Sequence, residues 1–449
     1  MIPGSLNERV NRKDLGKKTD GNNFGYCGGE FGGVRVLVKY QTITIADLGR
    51  VVTGKTPPTE KLHLYGEAYP FITPTDIGNL RYCEPTRYLS EQGYKSQPNH
   101  LLPEKSICVT CIASVGKICI TNRPSFTNQQ INSIVVDLNF HDPFFIYYLL
   151  LTQVDHLKSI ASGVATPIIN KTAFSEIEIT VPPLPIQRRI AGILSAYDEL
   201  IENSQRRIRI LESMARALYR EWFVHFRFPG HEEVPLVPSP LGEIPRGWEV
   251  RLVEGSFTII GGGTPSRKIS EYWEGGTIQW YSPSDLTGAG SMFMDDSKDH
   301  ITDLGLKKSS ARLFPAYSVM LTSRATIGAI AINTHQACTN QGFITCIPNE
   351  RVPIFFLYHW LTENVLTFQR MASGATFKEI SRGVFKTIQF LQPPQELVKQ
   401  FESIAAPIAG QVLALQRQIQ TLHRTRDLLL PRLLSGKIDV EALPNGELP

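Results

Sequence analysis

The heptapeptide TCIASVG at residues 110–116 is answered by TSRATIG at residues 322–328. Working outward from this pair, Thr127-Asn128-Gln129 matches Thr339-Asn340-Gln341, Ser162-Gly163 matches Ser373-Gly374, and Pro182-Pro183 matches Pro393-Pro394. Each copy closes with a long helical pattern, in which Ile190, Leu194, Gln205, Ile208, Leu211 and Leu218 align with Phe401, Ala405, Gln416, Ile419, Leu422 and Leu429. The offset stays between 208 and 212 residues throughout. Solenoid repeats run at roughly 20–50 residues. A period four times longer encodes a globular domain plus a helix, written twice.

Composition sets the outer bounds. With 449 residues the chain is too long for one hydrophobic core, and 42% hydrophobic with 20% charged residues is ordinary for a soluble globular protein. The longest apolar run, residues 144–151, is too short to span a bilayer, and the polar amino terminus lacks the apolar core of a signal peptide. Seven irregularly spaced cysteines do not form a secreted disulfide framework, so a reducing cytoplasm is the expected location. Net charge is only +4. Residues 40–185 carry 11 basic against 12 acidic side chains, and residues 247–395 carry 13 against 12. A nucleic-acid-binding surface in this chain must therefore concentrate its basic groups on one face or share phosphate neutralisation with a partner.

The pattern divides the chain into seven segments. Residues 1–39 are polar and glycine-rich, and are expected to be a mobile leader. Residues 40–185 form the first globular copy, a mixed α/β domain of short strands such as SICVTCI, KICIT and INSIVV bounded by turn residues. Apolar helices are expected over 142–157 and, in the second copy, over 352–370. A long helix follows at 186–226, then a proline-rich extended linker at 227–246, the second copy at 247–395, a second long helix at 396–436 and a tail at 437–449.

In the first long helix, Leu194, Ile201, Ile208, Ala215 and Trp222 form one seven-residue series, and Ile190, Tyr197, Ser204, Leu211 and Leu218 the other. In the second, Ala405, Val412, Ile419, Arg426 and Leu433 stand beside Phe401, Ile408, Leu415, Leu422 and Leu429. Spacings of three and four sustained over several heptads predict a coiled-coil seam. The two helices are expected to pack antiparallel on each other as a rod of about 50 Å, one and a half turns of B-DNA. Pro407 predicts a kink or a late start in the second helix.

This duplicated order resembles the specificity subunit of type I restriction–modification enzymes. The resemblance rests on Gly54-Lys55-Thr56-Pro57 with Gly262-Gly263-Thr264-Pro265, and on Thr75-Asp76-Ile77 with Ser284-Asp285-Leu286. It extends to SGVAT at 162–166 and SGAT at 373–376, the helix ends ALYREWF at 217–223 and LLPRLLSGKI at 429–438, and LGEIPRGW at 241–248. The resemblance implies two target-recognition domains, each reading half of a split asymmetric double-stranded DNA site, on a subunit that is not itself catalytic. It implies two methyltransferase subunits as partners, docked on the helices, and restriction endonuclease (translocase) subunits for cleavage. S-adenosylmethionine, ATP and Mg would then sit on those partners, with no cofactor on this chain. An orphan DNA-binding protein acting without a methyltransferase is the alternative.

Two motifs compete with this reading. Residues 49–56, GRVVTGKT, fit the P-loop pattern, but Pro57-Pro58 follow at once, where a P-loop needs a helix to start. Cys108, Cys111 and Cys119 have no second cysteine pair to complete a zinc site, and their counterparts are Met320, Ser323 and Ala331, so core packing is expected. The Asn/Asp-Pro-Pro-Tyr/Phe motif of an amino-methyltransferase is not in the sequence.

Base edges are read by Arg or Lys on guanine and by Asn or Gln on adenine. The candidate DNA-contacting residues are those in the shared turns. In the first copy these are Lys55, Thr56, Thr75, Ser114, Lys117, Gln129 and Gln130. In the second they are Arg267, Lys268, Ser284, Arg324, Thr326, Gln341 and Lys378. Different half-sites need different readers, so shared residues such as Thr56/Thr264, Asp76/Asp285 and Asn128/Asn340 are expected to cap turns. Differing neighbours, such as Lys117 against Ala329 and Gln130 against Gly342, are expected to set specificity. Partner-facing or seam positions are Ile190, Leu194, Ile201, Ile208, Leu211, Leu218 and Trp222, with Phe401, Ile408, Leu415, Ile419, Leu422 and Leu429.

Overall fold

The computed structural model describes residues 24–27 and 38–442, apart from 79, 84, 164–165 and 375–377. Expectations for the rest of the leader, for the tail beyond 442 and for the centres of the 162–166 and 373–376 turns lie outside the described residues. The chain divides into two compact units, Met1–Glu199 with Leu422–Pro449, and Leu200–Thr421. Each unit holds one copy of the repeat.

In the first unit, Gly49–Thr53, Ile131–Val136, Ile107–Thr110 and Ile118–Ile120 form a four-stranded antiparallel sheet in that order. All four residues of Ile107–Thr110 are buried because the sheet is covered on both faces. Alternation then sorts them: Ile107 and Val109 pack toward helix α1, Pro143–Thr152, while Cys108 packs with Cys119, Val52 and Ile131 on the other face. A small sheet sets Tyr65–Ile72 beside Phe126–Thr127 in parallel. The second unit repeats this. Thr258–Gly261, Phe343–Ile347, Val319–Thr322 and Ile330–Asn333 form the matching antiparallel run, Phe293–Met294 adds a fifth strand in parallel, and Ile278–Tyr281 runs parallel to Ala337–Thr339.

The expected apolar helices are each broken in two. Gln153 and Asn364 end one helix and start the next, so the first pair is α1 with Val154–Ile160 and the second pair is Ile354–Glu363 with Val365–Met371. The leader contributes a strand, Phe24–Cys27, antiparallel to Val38–Thr44. The proline-rich segment, expected to be extended, is folded instead. Leu236–Ser239 and Gly242–Pro245 form a hairpin, and Phe228, Ile244 and Trp248 are buried in the second unit's aromatic core. Aromatic residues flanking the prolines decide this: the Trp248 ring lies 5.6 Å from Phe228 and 5.3 Å from Phe226.

The long helices are α2, Leu184–Phe223, and α3, Gln395–Leu434, each 40 residues. α2 ends where Phe226 takes a left-handed φ of 59°, and α3 ends before Gly436 at φ 69°. α3 shows no late start and runs unbroken through Pro407. Pro407 and Ser403 both lie on the exposed face, where the Ser403 carbonyl that proline leaves without a donor is open to solvent rather than buried.

In the first unit, Ile186, Ile190, Ala191 and Leu194 near the start of α2 share a core with Leu429, Leu430 and Leu433 near the end of α3. In the second, Leu218, Tyr219, Trp222 and Phe223 near the end of α2 share a core with Phe401, Ala405, Ala409 and Val412 near the start of α3. Within each unit the helices therefore pack antiparallel. Ile190, Leu194, Ile201, Trp222, Phe401 and Leu415 are buried. Ile208, Leu211, Leu218, Ile408, Ile419, Leu422 and Leu429 are half-buried.

Two positions of the heptad series are polar, Arg426 and the buried Ser204. Arg426 lies in the heptad series, 14% exposed in its side chain, and donates to Asp198 at 2.5 Å. The other oxygen of Asp198 accepts the Tyr148 hydroxyl of α1 at 2.5 Å. Burial opposes the charge on Arg426, yet Asp198 and Asp427 hold its pKa above the ordinary arginine value. Burial, then the Asp198 charge, push the Tyr148 phenol up and keep it protonated as a donor. Removing one member of a buried pair strands the other. Asp198→Ala is therefore expected to destabilise the first unit by about 3–5 kcal/mol. Asp198→Leu combined with Arg426→Met should recover most of that loss. Denaturant unfolding of the full chain checks both, and an Asp198→Ala variant as stable as the parent would contradict this assignment.

Candidate nucleic-acid interface

The duplicated motifs, distant in sequence, converge on one loop cluster in each unit. In the first unit, Lys55 N donates to the Thr127 carbonyl at 2.9 Å and Gly54 N to that of Ile131 at 3.0 Å. A Cβ at Gly54 would lie 2.1 Å from the Asn128 carbonyl oxygen, so only glycine allows this approach. Asn128 N donates to Ile72 O (3.1 Å), which brings in the next turn, where Asp76 accepts Thr73 N at 2.8 Å and Thr86 N at 3.2 Å. The 110–116 loop joins through Cys111 N to Gln130 O (2.7 Å) and through Ala113 N to Pro167 O (3.0 Å).

The second unit builds the same cluster. Gly263 N donates to Thr339 O at 2.9 Å, and a Cβ at Gly262 would lie 2.1 Å from the Asn340 carbonyl. Asn340 N reaches Tyr281 O (3.0 Å), Asp285 accepts Ser282 N (2.7 Å), Ser323 N reaches Gly342 O (2.8 Å), and Ala325 N reaches Lys378 O (3.2 Å). Ala113 and Ala325 both hold φ 62°, a left-handed conformation that costs a non-glycine residue about 1–2 kcal/mol. The loops around them stay closed because the Thr110 hydroxyl donates to Ser114 O and the Thr322 hydroxyl to Thr326 O. Beyond the shared alanine, nothing in the sequence signals this strain.

The candidates divide by what already holds them. Lys55, Ser114, Lys268, Thr326 and Lys378 are exposed in or beside the clusters. Thr75 and Ser284 are exposed too, but their hydroxyls bond those of Thr73 and Ser282 at 2.8 Å. Gln130 accepts the Asn128 amide at 2.9 Å. Lys117 donates to Pro74 O at 2.9 Å and ties two loops together, a tie Ala329 cannot make. Arg324 stands 3.7 Å from Glu379. Asp76, Asp285, Asn128 and Asn340 cap turns. Thr56 and Thr264 do not; their hydroxyls donate across to Gln129 at 2.5 Å and Gln341 at 2.6 Å.

Arg267 is occupied by the fold. Its guanidinium lies 3.5 Å from the Trp273 ring centre and 2.5 Å from Asp299. A half-exposed cation stacked in this way contributes about 1 kcal/mol. Arg267→Ala is therefore expected to lower the melting temperature measurably, whereas Lys268→Ala, at its exposed neighbour, should not; equal effects would contradict the stacking role.

Neither competing motif survives. Gly49–Thr53 is a sheet strand, and the first helical turn after Lys55 is the short Leu62–Leu64 segment, so the P-loop geometry is not formed. Cys108, Cys111 and Cys119 are buried in the core. One feature is not evident from the sequence. Tyr65, Glu67, Arg87, Tyr88 and Arg123 line a groove of about 630 Å³, with the Arg123 guanidinium 5.5 Å from the Tyr88 ring centre. Only the adjacency of Arg87 and Tyr88 hints at it, because Arg123 comes from a separate bend and reaches Tyr88 through its side chain.

The family model for the type I restriction modification DNA specificity domain matches residues 38–213 and again 245–404. The MjaIX specificity subunit of Methanocaldococcus jannaschii is 28% identical over 416 residues, 89% of this chain and 93% of that protein. The HindI specificity subunit of Haemophilus influenzae is 38% identical over 358 residues, covering 66% and 77% of the two. The crystal structure of a type I restriction–modification S subunit from M. genitalium superposes with a TM-score of 0.58 at 17% identity, covering 88% of this chain and 96% of that one, which shows a shared fold. Two similar recognition domains on paired long helices define the class: a DNA-specificity subunit without a catalytic centre. The chain belongs to the type I restriction–modification DNA specificity family.

Proposed function

We propose that this chain reads a split, asymmetric site on double-stranded DNA, one loop cluster per half-site, and so directs adenine methylation or restriction by partner subunits. The observation that carries the reading is the pair of clusters, alike in backbone and different in exposed side chains. A common scaffold places the loops, while the exposed Arg324 against Ile112 and the exposed Lys117 against Ala329 present different chemistry.

The partners in this reading are two methyltransferase subunits and restriction endonuclease subunits in the cytoplasm. S-adenosylmethionine, ATP and Mg are bound by those partners. Exposed apolar side chains on the long helices, among them Leu200, Ile210, Met214 and Leu428, support docking of other subunits there. No helix among the described residues is long and apolar enough to cross a membrane.

Single-molecule sequencing of host DNA, with and without this chain beside its methyltransferase, tests the reading. The expected result is chain-dependent methyladenine at a split, asymmetric motif. Arg324→Ala should relax one motif position by about 1–3 kcal/mol of discrimination if it touches a base. No new methylation with a folded, bound methyltransferase would overturn the reading in favour of an orphan DNA-binding protein.

A further inference from the structure

The two Thr–Gln pairs are the same in both units although the half-sites are expected to differ. Thr56 gives its hydroxyl hydrogen to Gln129 Oε1 at 2.5 Å, and Thr264 gives its own to Gln341 Oε1 at 2.6 Å. Both glutamines are exposed. The residue after each glutamine is held in a matching way: Asn128 Oδ1 accepts Gln130 N at 3.1 Å, and Asn340 Oδ1 accepts Gly342 N at 2.8 Å. The threonine loop is clamped to the glutamine loop by the glycine approaches at Gly54 and Gly262.

This arrangement engages the oxygen end of each amide. Adenine recognition by glutamine uses an acceptor and a donor together. Here the amide oxygen is engaged by threonine, and the Nε2 group is left to donate. A lone, oriented donor suits an acceptor present at every nucleotide, a phosphate oxygen. Because the threonine bond already restricts the side chain, it loses less rotamer freedom on binding than an unheld glutamine.

We propose that Gln129 and Gln341 are matched, sequence-independent contacts to the DNA backbone, one in each half-site, each held in position by its threonine. This rests on the DNA-reading function above, and it separates two jobs within each cluster. The shared pair sets the docking of the duplex, and the differing neighbours read it. Glutamine is uncharged, so its contact releases no counterion and does not enter the salt dependence of binding, unlike a Lys55 contact.

The test uses the full chain with its methyltransferase. Binding to cognate and scrambled duplexes is measured across a salt series for the parent and for Gln129→Ala with Gln341→Ala. A third protein, Gln129→Glu with Gln341→Glu, keeps the acceptor that threonine bonds but replaces the outward donor with a charged acceptor. The alanine pair should weaken both duplexes alike, by about three- to tenfold per contact, with an unchanged salt slope and an unchanged methylation motif. The glutamate pair should be as thermally stable as the parent and bind more weakly than the alanine pair. Three results would each overturn the proposal: a loss confined to cognate DNA with a relaxed motif, unchanged affinity in both variants, or a lowered melting temperature without a loss of affinity. A parent complex that binds no duplex, or methylates no split site, would instead refute the DNA-reading function.

Discussion

Neither repeat copy closes its own hydrophobic core. In the first unit, Leu429, Leu430 and Leu433 fill the space beside Ile190 and Leu194, and Ile438 and Val440 continue that cover. In the second unit, Tyr219, Trp222 and Phe223 pack against Phe401, with ring centres between 5.2 and 6.3 Å apart. Each core thus depends on the far end of a helix that begins in the other unit. Apolar burial at about 25 cal/mol per Å² is non-directional and would tolerate a slip of the two helices. Asp198, Arg426 and Tyr148 supply direction at one end, since a shift of one turn leaves two buried charges apart. At the other end the corresponding positions are Ala409, Ala215 and His359, and aromatic stacking takes over. Burial keeps His359 neutral by lowering its pKa to about 4.

On this base, the sheets place the loops. Each cluster is assembled from backbone bonds between short turns, with glycine at the closest approach and a strained alanine at the tip of the 110–116 and 322–328 loops. The backbone has little freedom left, so variation falls on the exposed side chains. That arrangement suits a reader whose specificity changes while its scaffold persists.

Much of this is legible in the sequence, because duplication doubles every signal. The strands, both long helices and their apolar seam follow from periodicity and from the second copy acting as a control on the first, whereas the antiparallel direction comes from the shared cores. The same control weighs against the P-loop and zinc readings, since Gly263 stands where the second copy would need a counterpart of Lys55, and Met320 and Ala331 where it would need cysteines. Contacts set by three-dimensional approach are not legible. Nothing local in the sequence reveals that Trp273 and Asp299 hold the Arg267 guanidinium. The composition of residues 227–246 hides a docked hairpin, because its five prolines outweigh Phe228 and the neighbouring Trp248 in any count. Pro407 misleads because the sequence does not show which face of the helix is wet.

The central claim is that the two loop clusters are the surfaces that meet DNA, one for each half-site. A photo-crosslinking amino acid placed at Thr75, and separately at Ser284, in the complex with its methyltransferase and a mapped duplex tests this most directly. The account predicts one crosslink per protein, in different half-sites. Crosslinks from both positions to the same half-site, or none from either while the complex stays bound, would contradict it.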